Sequence, residues 1–209
     1  WTKLAHERNI YLVAGIAEKE GEKLYNSAVL IGPKGVIGTY RKLHLWFEEQ
    51  LFFHPGNLGL PVFHLPFGCL GMHICYDLWF PETSRILALQ GADLICSPTN
   101  WVPSSNPFYD EADRCIANYL AIAAAQSNAL FLACADRIGI ERGQPFEGRS
   151  IIIEPSGRTI AGPASKNCEE ILVATINMMN SRKLKTTSSM NHRFADRRTD
   201  VYGQMLGYC

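Results

Sequence analysis

The strongest constraint on the fold is an alternation of short apolar runs with helical periodicity between residues 70 and 135. Leu70 to Ile74 reads as a buried strand, Pro81 to Gln90 as a helix, and Asp93 to Ser97 as the next strand. Leu130 to Ala135 predicts a further strand. The helix before it is predicted by apolar residues at i, i+3, i+4, i+7, i+8 and i+11: Ala112, Cys115, Ile116, Tyr119, Leu120 and Ala123. This region therefore contains a β-α-β step.

Two similar strand-turn-strand units flank this region. In the first, Ser27 to Ile31 and Val36 to Tyr40 are separated by the turn GPKG; in the second, Ser150 to Ile153 and Arg158 to Ile160 are separated by EPSG. An apolar strand from Ile10 to Ala17 precedes the first unit. Strands covered by helices, with hairpins between them, predict a layered α/β domain. Because no linker interrupts 1–209, we predict a single domain.

The composition excludes several classes of protein. The 209 residues are 47% apolar and 19% charged, and 20 basic and 20 acidic side chains cancel. Dispersed charges of this kind favour a small, weakly charged substrate, and we expect neither a nucleic-acid nor a membrane partner. No apolar run approaches the roughly 20 residues of a membrane span, and the amphipathic start is not a signal peptide. We therefore expect a cytoplasmic protein.

The cysteines and histidines argue against disulfides and metals. Seven cysteines, at 69, 75, 96, 115, 134, 168 and 209, are an odd number in a chain without a secretory signal. The sequence has no CxxC pair, and its six histidines lack the HExxH or Cys/His spacing of zinc sites. We predict no disulfide framework, no metal and no cofactor.

The chain changes character after residue 180, where polar and basic residues dominate. Charge runs usually face solvent, so residues 180–209 are predicted to form a solvated tail. Alternatively, Val201 to Gly203 forms a short terminal strand against a neighbour and brings the tail into an oligomer interface. We expect a homodimer or a larger homo-oligomer.

Cys75 is the candidate nucleophile. It stands where a buried strand ends and the chain turns toward a helix, and a nearby cation or helix start lowers a thiol pKa. The alternative is a small buried core cysteine. Residues 71–82 read GMHICYDLWFPE, and eight of these positions, from Cys75 to Glu82, resemble the nucleophile motif C-Y/W-D-x-x-F-P-E of the nitrilase superfamily.

Further segments support this resemblance. Residues 40–45 read YRKLHL, which is similar to the Y-R-K-x-H-L motif of the superfamily's catalytic lysine, here Lys42. The resemblance also implies a supporting glutamate before a Pro-Gly turn; Glu49 fits best, with Glu48 as the alternative. A carboxylate close to Lys42 would keep it charged. Trp101 is expected to wall the substrate pocket or to pack for structure, and residues 146–150 resemble an F-x-G-x-S strand entry.

The resemblance implies a four-layer α-β-β-α sandwich, whereas periodicity alone predicts only a layered α/β domain. It also implies a general-base glutamate at the end of an upstream strand. None of Glu7, Glu18, Glu20 and Glu22 matches that motif, so the role is given to none of them. We expect the first strand-helix-strand and its base to lie outside these 209 residues and the chain as written to be inactive.

The implied reaction is hydrolysis of a C-N bond through a thioester on Cys75, with Lys42 and the backbone N-H of Tyr76 holding the oxyanion. Because the motif reads C-Y-D and not the C-W-E of true nitrilases, small amides or N-carbamoyl compounds are favoured over nitriles. Two other classes stay open. One is a papain-like hydrolase with His44 or His73 as base, although that family's signature is missing. The other is a non-catalytic binding or assembly module.

Overall fold

The computed structural model describes residues 1–205. The helices are α1 Thr2–Arg8, α2 Glu49–Phe52, α3 Pro81–Leu89, α4 Ile116–Asn128, α5 Met179–Lys183 and α6 Thr199–Met205, with a 3₁₀ turn at Cys75–Trp79. The strands are β1 Leu12–Glu20, β2 Lys23–Gly32, β3 Gly35–Arg41, β4 Val62–Leu65, β5 Gly68–Met72, β6 Leu94–Thr99, β7 Phe131–Asp136, β8 Ile140–Glu141, β9 Gln144–Pro145, β10 Ile151–Ile153 and β11 Thr159–Ala161.

The strands form two main sheets. The first is a three-stranded antiparallel sheet in the order β1-β2-β3. The second has six strands in the order β11-β10-β7-β6-β5-β4, and its central strands β5, β6 and β7 run parallel. The parallel pairs follow from the predicted β-α-β step, because a helix must carry the chain back before the next parallel strand begins.

The two sheets pack face to face with helices outside them. Along β2, Ala28 and Leu30 belong to the main core between the sheets, whereas Val29 and Ile31 pack with Ala5 of α1 on the other face. This division follows from the alternation of side chains along a strand. Helices α3 and α4 pack beside each other and cover the six-stranded sheet. The resulting order of layers confirms the α-β-β-α sandwich.

Two local predictions were wrong. Helix α4 begins at Ile116 and not at Ala112, because the Asp110 carboxylate accepts the backbone N-H groups of Ala112 and Arg114 and holds them in a turn. The Asn118 side chain then accepts the N-H of Cys115 at the helix start.

Residues 201–203 lie in α6 and not in a terminal strand. The Arg198 carbonyl accepts the N-H groups of residues 201 and 202, so local hydrogen bonds satisfy this backbone without a neighbouring strand. The last four positions of the predicted tail, including Cys209, lie outside the described residues.

Among residues 1–205, no helix combines the length and apolar character needed to cross a bilayer. The same part of the chain holds no cluster of three or more histidine, cysteine or acidic side chains arranged to bind a metal ion. The six cysteines in it are all free thiols.

Candidate active site

Cys75 lies three residues beyond the end of β5, at the first position of the 3₁₀ turn. Its backbone φ is 48°, in the left-handed region that non-glycine residues rarely adopt. Such a conformation costs on the order of 1 kcal/mol or more and persists only where the surroundings impose it. The sharp turn directs the thiol away from the sheet and into a cavity that Cys75 itself lines.

Asp77 is the residue that imposes this turn. Its buried carboxylate accepts hydrogen bonds from the N-H of Ile74 at 2.9 Å, the hydroxyl of Tyr40 at 2.7 Å, and both the backbone N-H (3.0 Å) and the ring Nδ1 (2.8 Å) of His44. Burial alone would raise the pKa of Asp77, but these donors hold it below its ordinary value. One carboxylate thus ties the nucleophile motif to the lysine motif.

Lys42 follows β3 and points into the protein, with 1% of its surface exposed. The preceding Arg41 points to the opposite face, where its guanidinium pairs with Glu18 and Glu20 and stacks on the ring of Tyr25. Side chains alternate along a strand, so the anchoring of Arg41 directs Lys42 inward. Glu18 and Glu20 lie in β1, and the ion pairs with Arg41 occupy both carboxylates.

Glu49, on the short helix α2, accepts a hydrogen bond from Lys42 Nζ at 2.7 Å. It also accepts the side-chain N-H of Asn26 at 3.0 Å and the backbone N-H of Trp46 at 2.7 Å. A buried ammonium needs a paired charge to remain ionised, and Glu49 supplies it. The structure therefore brings Lys42 and Glu49 together, while Glu48 makes no hydrogen bond to the lysine in the described part of the chain.

Several groups act on the Cys75 thiol. Burial raises the pKa of Cys75, and the charge of Lys42 and a hydrogen bond from the backbone N-H of Asn100 lower it. The carboxylates of Glu49 and Asp136 raise it further. Lys42 and the Asn100 amide are thus the groups that favour the reactive thiolate.

The cavity beside Cys75 has a volume of about 140 Å³. The predicted site residues Tyr76 and Trp101 both line it, and Trp101 is 2% exposed. Its other aromatic walls are Trp46, Trp79 and Phe108. Among the described residues that line it, Glu147 is the only acid and none is Lys, Arg or His. This cavity suits an uncharged group, whereas a second groove that Cys75 also lines carries Glu49, Asp136 and Arg137.

The two histidines considered as bases have other partners. His44 donates its ring Nδ1-H to the Asp77 carboxylate and stacks on Phe80, with ring centroids 3.6 Å apart. His73 is fully buried with its Nδ1 3.0 Å from the Ser97 hydroxyl, and burial lowers its pKa to about 4. Neither hydrogen-bonds to Cys75 in the described structure.

Sequence reasoning missed four residues of this site: Asn26, Asp77, Asn100 and Asp136. Asp77 lies inside the recognised motif but was given no role. The other three carry no local signature, since their contacts join segments far apart in the chain. Only Asp136 carries a signal, as a polar residue at the end of β7, which β6 separates from the motif strand β5.

Residues 1–186 match the carbon-nitrogen hydrolase family. The chain belongs to this family. It is 43% identical over 199 residues to a nitrilase from Pyrococcus abyssi, covering 95% of this chain and 71% of that protein. It is 32% identical to an N-carbamoylputrescine amidase from Solanum tuberosum, covering 97% of this chain and 70% of that protein.

A solved carbon-nitrogen hydrolase from Helicobacter pylori superposes with a TM-score of 0.84 at 29% identity, covering 98% of this chain and 73% of that one. The protein is therefore an amidase-like carbon-nitrogen hydrolase, and the papain-like alternative is wrong.

Proposed function

We propose that this carbon-nitrogen hydrolase cleaves small linear amides or N-carbamoyl compounds through a thioester on Cys75. The observation that carries the proposal is the buried ion pair of Lys42 with Glu49 beside a strained cysteine at the mouth of a cavity. An ammonium in this position favours the thiolate and can receive the charge of an oxyanion.

The reaction begins when the Cys75 thiolate attacks the carbonyl carbon of the substrate. Lys42 Nζ and the backbone N-H of Tyr76 stabilise the oxyanion of the tetrahedral intermediate. The departing nitrogen takes a proton from solvent, the C-N bond breaks, ammonia or an amine leaves, and a thioester forms. Water hydrolyses the thioester and regenerates the thiol.

Glu49 is proposed to keep Lys42 charged and positioned throughout this cycle. Its three hydrogen bonds leave it committed to that task. No residue matches the family's general-base motif, so the proposal assigns proton transfer to none of the residues here. The test therefore measures formation of the covalent bond at Cys75 separately from full turnover.

The cavity supports amides and N-carbamoyl compounds as substrates, because its aromatic walls accept small uncharged groups and its lining lacks a cation that would bind a carboxylate. One relative is named an N-carbamoylputrescine amidase, which favours the carbamoyl alternative. Another is named a nitrilase, so nitrile hydrolysis is the second candidate.

The test separates bond formation from turnover. The purified chain is incubated with acetamide, butyramide, an N-carbamoyl alkylamine and the matching nitrile, and ammonia release is measured alongside intact-protein mass. An electrophilic amide such as fluoroacetamide serves as the covalent probe. We expect an adduct at Cys75 that Cys75→Ala abolishes, and any ammonia that is released should come from amides or carbamoyl compounds before nitriles. Folded protein that forms no adduct at Cys75 would contradict the proposal, and ammonia from nitriles before amides would overturn the choice of substrate.

A further inference from the structure

Asp136, a carboxylate outside the predicted catalytic set, clamps the loop that touches the nucleophile. It is the last residue of β7 and pairs with Thr99, the last residue of the neighbouring strand β6. Its Oδ1 accepts the Thr99 hydroxyl at 2.7 Å and the backbone N-H of Trp101 at 2.8 Å, and its Oδ2 accepts the backbone N-H of Gly148 at 2.9 Å.

Asn100 lies between the two residues that Asp136 holds. Asn100 and Cys75 line the same two cavities, and the Asn100 backbone N-H lowers the pKa of the Cys75 thiol. The orientation of that N-H depends on the peptide planes on either side, so fixing Thr99 and Trp101 fixes the direction of the donor. The Trp101 carbonyl also accepts the Glu147 N-H at 2.9 Å, which ties the same loop to the segment before β10.

We propose that Asp136 is a positioning residue for the nucleophile, which holds the Asn100 N-H against the Cys75 sulfur by clamping Thr99 and Trp101. The proposal concerns the state of the thiol before substrate arrives. It therefore goes beyond the proposed hydrolysis and does not depend on which C-N bond is cleaved.

The charge of Asp136 and its positioning of the Asn100 amide have opposite effects on the Cys75 thiolate, so an experiment can separate the two roles. The negative charge of Asp136 disfavours the thiolate, whereas the amide that it positions favours it. If Asp136 acted by charge alone, its neutralisation would make Cys75 more reactive. If it acts by position, its neutralisation makes Cys75 less reactive, because an oriented amide hydrogen bond to the thiolate is lost.

The surroundings of Asp136 also predict a pH dependence. Burial raises its pKa to about 6, against hydrogen bonds from Thr99, Trp101 and Gly148. Among the described residues, Cys75, Glu49 and Arg137 line one groove with Asp136, Cys134 lies two residues before it on β7, and Cys168, Glu169 and Glu170 line a second groove with it. Below about pH 6 the protonated carboxyl loses acceptor capacity, so the clamp should loosen.

The experiment measures alkylation of Cys75 by iodoacetamide between pH 5 and pH 10, with peptide mass mapping to resolve each cysteine. We expect Asp136→Asn to slow alkylation of Cys75 at pH 8 by about tenfold, which corresponds to one unit of thiol pKa. Thr99→Val, which keeps the charge but removes one donor, should slow it by about threefold. In the unsubstituted protein, the rate per thiolate should fall below about pH 6, and Asp136→Asn should lack this inflection.

The matched control is Asp93→Asn. Asp93 is a buried carboxylate just before the opposite end of β6, where it accepts hydrogen bonds from Ser181 and Arg182. Its neutralisation should leave the alkylation rate of Cys75 unchanged. An unfolding curve for each variant shows that the fold is retained.

Faster alkylation in Asp136→Asn would mean that Asp136 acts by charge alone, and an unchanged rate would mean that it does not position the amide; either result overturns the proposal. If Asp136→Asn does not fold, Thr99→Val decides, and an unchanged rate in that variant overturns it. Because alkylation needs no turnover, failure of the hydrolysis assay leaves this result unaffected.

Discussion

Lys42 combines a long cationic side chain with almost complete burial, which is unfavourable unless a partner carries the opposite charge. Glu49 supplies that charge, and Asn26 and the backbone of Trp46 hold the carboxylate in place. Burying the Lys42 charge is therefore unfavourable in free energy, and the pair forms in one specific geometry. At this scale, an arrangement of that kind is more typical of a site that needs a dry, oriented charge than of a stabilising surface pair.

The first prediction concerns the charge of Lys42. Lys42→Met keeps most of the buried volume and removes the ammonium, so kcat toward the best small amide should fall about 10²- to 10³-fold, as for loss of one oxyanion donor. Alkylation of Cys75 at pH 8 should also slow, because the charge of Lys42 lowers the pKa of the thiol. Both rates are measured alongside the melting temperature.

Lys185→Met is the control for this prediction, since Lys185 is a half-buried lysine whose pKa burial lowers and which does not line the cavity. It should change neither rate. An unchanged kcat and an unchanged alkylation rate in Lys42→Met would remove the lysine from the mechanism.

At the scale of elements, the turn at Cys75–Trp79 is held by contacts and not by its own sequence preference. A left-handed cysteine would relax if the donors around it were released. Asp77 gathers Ile74, Tyr40 and His44, so the end of β5 and the segment after β3 are fixed to one another. The position of the nucleophile is therefore a property of two elements joined through one carboxylate.

The second prediction tests the hydrogen bonds to Asp77 that connect these two segments. Asp77→Asn replaces an acceptor oxygen by an N-H₂ that faces other donors, so the free energy of unfolding at pH 7 should fall by about 2 to 3 kcal/mol. Urea unfolding measures the loss. The exposed Asp200→Asn should stay within about 0.5 kcal/mol of the unsubstituted protein. Equal stability of the two variants would show that the hydrogen bonds to Asp77 contribute little.

The third prediction concerns His73, which follows β5 and is buried against Ser97 of β6. Its pKa is lowered to about 4 in the folded state and is about 6.5 in the unfolded chain, so its contribution is present above pH 6.5 and is lost as the pH falls toward 4. Between pH 7 and pH 5 the loss should be about 2 kcal/mol.

Urea midpoints at pH 7 and pH 5 measure this loss of stability. In His73→Gln the contribution of the histidine to the loss should be absent, because glutamine does not titrate. Carboxylates titrate equally in both proteins, so the difference between them isolates the histidine. The same pH dependence in both would show that His73 is protonated in the folded protein or does not contribute.

At the scale of the whole molecule, the two sheets bury one another and leave the outer helices and the C-terminal region in contact with solvent. Several apolar side chains outside the core are strongly exposed, including Ile171 at 90% and Met190 at 87%. Exposed apolar groups of this kind are typical of surfaces that bind another protein. The cytoplasmic location and the homo-oligomer stay predictions.

The fourth prediction is that the 23.4 kDa chain assembles into a homodimer or a larger homo-oligomer. Light scattering after size-exclusion chromatography measures the mass. Met190→Glu, in the predicted tail, should weaken assembly, because a charge would replace an apolar contact. Ile140→Glu introduces the same charge at another exposed apolar position, outside the predicted tail, and should not weaken assembly. A monomer at all concentrations would contradict the prediction.

The sequence by itself determined the family, the candidate nucleophile and lysine, and the type of most elements between β1 and β11. These features are local: a motif is contiguous, and the period of a strand or helix is read over a few residues. Glu49 was also proposed from its place before a Pro-Gly turn. The start of α4 was misplaced because the side-chain oxygens of Asp110 and Asn118 accept backbone N-H groups, and these hydrogen bonds, not apolar periodicity, decide where that helix begins.

Only the tertiary structure decided how these parts meet. The contacts of Tyr40 with Asp77 and of Trp101 with Asp136 join residues that are 37 and 35 positions apart, and no local pattern encodes such pairs. The same holds for the cavity, whose walls come from five separate segments of the chain. Strand alternation at the end of β3 could place Lys42 on the face opposite Arg41, but the packing of the second sheet determined that this face meets the thiol.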